Sequence, residues 1–82
     1  MGEMRVFIVT TGSYSDYMID GVFETQEKTI QYISQRKWPY DSPRIELWEG
    51  GEHLVTWDYK LHESKLELRW DKKQGIVRHD DA

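Results

Sequence analysis

RIELWEGGEHLVTW, residues 44–57, decides the fold. Two runs rich in β-branched, aromatic and aliphatic residues flank Gly50-Gly51, and a Gly-Gly pair is a favoured two-residue hairpin turn. That turn fixes a register: Glu49 opposes Glu52, Trp48 opposes His53 and Leu47 opposes Leu54. Like charges facing each other suit a solvated loop end and would be costly deeper in a sheet.

Working outward from the hairpin, KLELRW (65–70) alternates strictly. Leu66, Leu68 and Trp70 point inward and Lys65, Glu67 and Arg69 outward, the pattern of a half-exposed antiparallel strand. At the other end of the chain, MRVFIVTTG (4–12) reads as a strand closed by Gly12. Val6 and Ile8 face one way and Phe7 and Val9 the other, so a cover over both faces is expected, at least in part. MIDGVFE (18–24) reads as a second strand, with Ile19 and Phe23 on one face and Met18 and Val22 on the other, weakened or bulged at Gly21.

Thr25 is placed to cap a helix running to about Lys37, with Glu27 in its first turn and Arg36-Lys37 in its last, matching the helix dipole. Its apolar stripe is thin: Ile30 and Ile33, with Tyr32 and Trp38 at the margins. WPYDSP (38–43) carries two prolines and stops the helix near Trp38, because the residue before a proline is pushed out of the helical region. The resulting expectation is an α+β domain of β-β-α-β-β-β order, an antiparallel sheet of four to five strands with one helix on a face. Residues 1–71 form the single domain and 72–82 a partly ordered tail, to which Ile76-Val77 can add a short strand.

Composition narrows the function classes. The chain has 82 residues, no cysteine and 13% aromatic residues, so disulfides and thiolate metal sites are excluded and a small aromatic-rich core is expected. The absence of a signal-peptide pattern and of a long apolar run predicts a cytoplasmic location. Net charge is −4, and residues 12–27 alone hold Asp16, Asp20, Glu24 and Glu27 with no Lys or Arg. The whole excess of negative charge therefore sits in one short segment. It disfavours phosphate binding there and suits a basic protein partner or a metal ion.

That segment contains GSYSDY (12–17), the densest polar-aromatic cluster of the chain. A serine nucleophile needs a base, and no histidine stands near Ser13 or Ser15 in sequence, so no catalytic residue is assigned and a non-enzymatic protein is expected. One reading is a turn whose Ser and Asp side chains bond the backbone. The other is a binding surface in which Tyr supplies rigid contact area and Ser adaptable hydrogen bonds. The candidate partner-binding residues are Ser13, Tyr14, Ser15, Asp16, Tyr17 and Asp20, joined by Trp38 and Tyr40 of the proline-rich connector. Asp16, Asp20 and Glu24 lack calcium-loop spacing, and His53, His62 and His79 lack zinc spacing, so no metal and no cofactor is expected. Lys72, Lys73, Arg69 and Arg78 beside Trp70 form a mild basic patch, diluted by Asp71, Asp80 and Asp81.

RVFIVTTGSYSDYMIDGVFETQEKTIQYI (5–33) resembles a family of short uncharacterised proteins from bacteriophages and bacteria. Gly12, Tyr14, Ser15, Asp16, Tyr17, Val22, Phe23, Glu27, Lys28, Tyr32 and Ile33 match its pattern of strand, G-x-Y-S-D-Y, strand and helix. The likeness covers about residues 5–35, and Thr29 departs from it where a small apolar residue is expected. The resemblance implies a small accessory protein, phage-encoded, of a kind that binds a host or defence protein; it implies no activity, cofactor or catalytic residue. Two alternatives stay open: a small-ligand module holding a nucleotide-like molecule at the loop, and a nucleic-acid binder using the C-terminal basic patch. Unpaired sheet edges also leave a homodimer open.

Overall fold

A computed structural model describes residues 4–12, 17–38 and 43–76. Six strands and one helix follow in the order β1 (Arg5–Thr11), β2 (Met18–Phe23), α1 (Gln26–Ser34), β3 (Arg44–Glu49), β4 (Glu52–Lys60), β5 (Lys65–Asp71) and β6 (Gly75–Ile76). All strands join one antiparallel sheet of spatial order β2-β1-β3-β4-β5-β6. The fold is α+β as the sequence indicates. The sixth strand is the short segment of the C-terminal stretch: Ile76 pairs with Trp70 and Gly75 with Asp71.

The Gly50-Gly51 hairpin forms as expected. Both glycines have positive φ, 60° and 81°, the conformation a two-residue turn of this type requires. Glu49 pairs with Glu52 and Trp48 with His53, but Leu47 pairs with Val55, not with Leu54. Leu54 is an extra residue, a β-bulge. A second bulge lies between Thr56/Trp70 and Trp57/Leu68 and leaves Arg69 over. A third lies between Val9/Gly21 and Thr10/Ile19 and leaves Asp20 over, next to the expected position.

Each bulge reverses a face assignment, because one extra residue shifts the two-residue alternation by a step. Trp70 does not point inward with Leu66 and Leu68; it opposes Thr56 on the other face. Ile19 does not share a face with Phe23; it opposes Thr10, whereas Phe23 opposes Phe7. On β4 the bulge separates His53 from Val55, Trp57 and Tyr59, although all four share the same parity in sequence.

The core lies between the sheet and α1. Phe7, Val9, Ile33, Ile45 and Tyr59 are buried, with Phe23, Ile30, Tyr32, Trp38, Leu47, Trp57, Leu61 and Leu66 packed around them. Thr25 caps α1 as expected, accepting from the Lys28 amide at 3.1 Å. Thr29, also buried, satisfies its hydroxyl by donating to the Thr25 carbonyl at 2.7 Å. That bond explains how a polar residue fills a position where a small apolar one is expected.

The helix ends at Ser34, not near Lys37, so no basic residue lies in its last turn. The indole N–H of Trp38 donates to the Ile33 carbonyl at 2.9 Å, a contact that folds the chain back onto the helix end and closes it early. Arg36 and Lys37 thus follow the helix; Arg36 places its guanidinium 5.1 Å from the Tyr32 ring centre and 5.3 Å from that of Trp38. Among the described residues α1 is the one element packed on a sheet face, so Val6 and Ile8, half-buried on the opposite side, have no second layer above them.

Candidate interaction surface

The β1–β2 end carries the segment singled out in the sequence. Ser13, Tyr14, Ser15 and Asp16 lie outside the described residues, as does Tyr40. Tyr17 begins the described part of the return strand and is 45% exposed. Its hydroxyl donates to Glu46 Oε2 at 2.9 Å. Burial of its ring edge is the main cause that pushes the phenol up to about 12, and the hydrogen bond and charge of Glu46 add to it. The other oxygen of Glu46 accepts from the Trp48 indole at 3.0 Å, so one carboxylate bridges β2's first residues to β3.

Asp20 is the bulged residue of β2. Its carboxylate accepts from the Thr11 hydroxyl at 2.9 Å, and its carbonyl accepts from the Tyr32 hydroxyl at 3.2 Å. Arg44 donates to the Gly12 carbonyl at 3.2 Å, which pins the start of the loop to β3. Tyr17 and Asp20 are therefore held in fixed positions on either side of the β2 start. Trp38 sits elsewhere: its ring meets Tyr32 edge-on at 6.3 Å on the helix side of the sheet, while Tyr17 reaches Glu46 on the opposite side.

Sequence reading passed over the apolar residues around this corner. β2 is an edge strand, and it exposes Met18 at 61%, Ile19 at 56% and Val22 at 57%. The signal was present as a Met-Ile…Val run, but alternation split it between two faces and marked neither as exposed. A second group was missed on the face away from α1. Trp48, His53 and Trp70 stack in a row, with ring centres 5.1 and 4.6 Å apart and planes within 13° and 27° of parallel. His53 Nε2 lies 2.8 Å from the Thr56 hydroxyl and 3.2 Å from the Val55 carbonyl.

Among the described residues, no group of three or more His, Asp or Glu is arranged to hold a metal ion, and no helix is long and apolar enough to cross a membrane. Two basic side chains of the C-terminal patch are engaged, and Arg78 lies outside the described residues. Arg69 donates to both Asp58 oxygens at 2.9 and 3.0 Å, and Lys72 pairs with Glu52.

A family model described as a domain of unknown function, DUF7336, matches residues 4–60. The chain belongs to this family. The match spans the first four strands and the helix, and with them the whole β1–β2 corner. No curated protein and no solved structure matches the chain.

Proposed function

We propose that this DUF7336 protein is a small non-enzymatic interaction module that binds a protein partner at its β1–β2 end. The observation that carries the reading is the edge strand β2, which exposes Met18, Ile19 and Val22 beside Tyr17 and Asp20. An exposed apolar edge strand invites pairing and is ordinarily blunted by charge, proline or a covering element. A partner that adds an extended segment to β2 gains backbone hydrogen bonds from the free edge and side-chain contacts from Met18 and Tyr17. Asp20 within β2 and Glu24 and Glu27 beyond its far end give this edge negative charge, which selects a basic segment and speeds its capture.

The setting implied by the sequence resemblance is a phage-encoded protein acting in the cytoplasm on a host or defence protein. Engagement of Arg69 and Lys72 by carboxylates weighs toward a protein partner and away from nucleic acid.

The test is affinity capture from bacterial lysate with wild type and with a Met18→Lys/Tyr17→Ala variant whose fold is verified by circular dichroism. The expected result is a partner held by wild type, at least tenfold depleted with the variant, and released from wild type as salt rises. Identical partner lists for the two proteins would overturn the assignment of this surface.

A further inference from the structure

Register places a continuous apolar band on the sheet face away from α1. It runs from Ile19 and Val22 on β2, through Val6 and Ile8 on β1, to Trp48, His53, Trp70 and Ile76 on β3 to β6. Met4, Val6, Ile8, Trp48 and Gly51 line a shallow apolar depression of about 260 Å³ within it. An antiparallel sheet with one solvated face ordinarily carries polar residues there. Here all six strands contribute an apolar or aromatic side chain to that face.

We propose that this face is the interface of a homodimer, in which two sheets pack face to face. Area is the first argument. Six strands about 4.8 Å apart, from two to nine residues long and averaging about six at about 3.3 Å each, give a projected face of roughly 500–600 Å². A pleated surface bearing side chains exposes more than its flat area, which brings it near the ~800 Å² that each partner of a standard stable interface contributes.

Charge is the second argument. Beyond the band, the face carries Arg44, Asp58 and Arg69, with Asp58 3.5 Å from Arg44 and 2.9 Å from Arg69. It also carries Lys60, Glu67 and Lys65, with Glu67 3.9 Å and 3.7 Å from the two lysines. With Glu46 opposite Ile8 on the same face and Glu63 3.5 Å from Lys65, these four cations meet four carboxylates within one chain, so this surface has little net charge with which to select a charged partner. The −4 excess of the protein lies in residues 12–27, the segment that runs through β2 into the start of α1. A neutral, aromatic-rich face complements a second copy of itself, and homodimer interfaces are the more apolar class.

Base stacking is disfavoured by the ring geometry. Both faces of the His53 ring are covered by Trp48 and Trp70, so the row presents ring edges outward and not the open π-faces that nucleotides use.

The experiment is sedimentation velocity on the full chain from micromolar to several hundred micromolar. Wild type is compared with Ile76→Lys and Val22→Lys, both at exposed positions, and with Met18→Lys at the strand edge. Circular dichroism checks each fold. Wild type is expected at twice 9.9 kDa, with each face variant weakening the dimer at least tenfold and Met18→Lys leaving it within a few-fold. A wild type that stays monomeric throughout overturns the proposal. So does a dimer unmoved by the folded face variants, or one that only Met18→Lys disrupts, which is the signature of edge-to-edge pairing.

Discussion

Gly21→Ala is expected to destabilise the protein, although alanine is the better strand residue. Gly21 opposes Val9 on the core side of the sheet. A Cβ at this position would lie 2.8 Å from Cε2 and 3.0 Å from Cζ of Phe23, and 3.6 Å from Cε2 of Tyr32. The Phe23 ring therefore lies over the glycine. It has little room to retreat, because the Tyr32 ring backs it at 4.9 Å and Tyr32 is itself held by the Asp20 carbonyl. Gly21 has no positive φ, so alanine meets a steric cost here and not a backbone one. Overpacking a core costs about 1–3 kcal/mol, against a gain of roughly 0.5–1 kcal/mol from removing a strand glycine. The net is a loss of about 1–2 kcal/mol, which lowers Tm by roughly 5–15 °C in a domain of this size. Urea unfolding should show a lower midpoint with an unchanged slope. The decisive arm is the same change made in a Phe23→Leu background, where Cε2 and Cζ are gone. There Gly21→Ala should be neutral or stabilising, giving a coupling of about 1–3 kcal/mol between the two positions. A Gly21→Ala protein more stable than wild type, or an equal cost in both backgrounds, would refute the contact.

Thr10 is fully buried, and its hydroxyl has no hydrogen-bond partner among the described residues. Thr10→Val should therefore raise stability by about 1 kcal/mol in urea titration, since an unsatisfied buried hydroxyl costs about 1–3 kcal/mol; a loss above roughly 0.5 kcal/mol would contradict this. Asp58→Ala leaves Arg44 and Arg69 facing each other without their carboxylate; breaking a buried pair costs about 3–5 kcal/mol. The low end applies, because the two arginine side chains keep 31% and 24% exposure, and a loss under about 1 kcal/mol would mean the pairing is decorative. Tyr17 should ionise near 12, above its ordinary 10.0, in an ultraviolet absorbance titration read as wild type minus Tyr17→Phe. Because the folded value is raised, whatever stability the protonated phenol adds is present below pH 10 and is lost between 10 and 12. The contribution is small at 45% exposure, so titration is the readout. Glu46→Gln should bring the value down only in part, since burial is the larger cause, and no change at all would show that the hydrogen bond is absent in solution.

Much of the fold is legible in the sequence because local chemistry and periodicity agree. Gly50-Gly51 demands positive φ and receives it; Thr25 precedes a helical pattern and caps it. The helix end is less legible. Arg36-Lys37 looks like a C-terminal turn, yet the Trp38 indole takes the Ile33 carbonyl and ends the helix before them. That bond is a contact between a side chain and a backbone group five residues away, and no propensity scale contains it. Of the candidate site, Tyr17 and Asp20 lie at the start of β2. Trp38, read as an interface residue from its neighbours in sequence, is half-buried and engaged with Ile33 and Tyr32.

The bulges are what sequence reading could not supply, and each of them moves one ring or aliphatic side chain off the core face. Positions 19, 21 and 23 share a parity, as do 53, 55, 57 and 59, and 66, 68 and 70. In each set one residue at the end of the run, Ile19, His53 or Trp70, is moved off the core face by an extra residue beside it. Only one of the three, Asp20, neighbours a glycine that hints at irregular pairing; Leu54 and Arg69 carry no such mark. Each transfer removes a side chain from the helix side, where a nine-residue helix has limited surface to cover it, and adds one to the open face. A sheet selected only to pack against α1 gains nothing from an apolar opposite face and incurs an aggregation hazard from it. Three independent bulges that together place Ile19, His53 and Trp70 in one band with Val6, Ile8 and Trp48 are therefore better explained by a surface that is covered in use than by defects in a one-sided sheet.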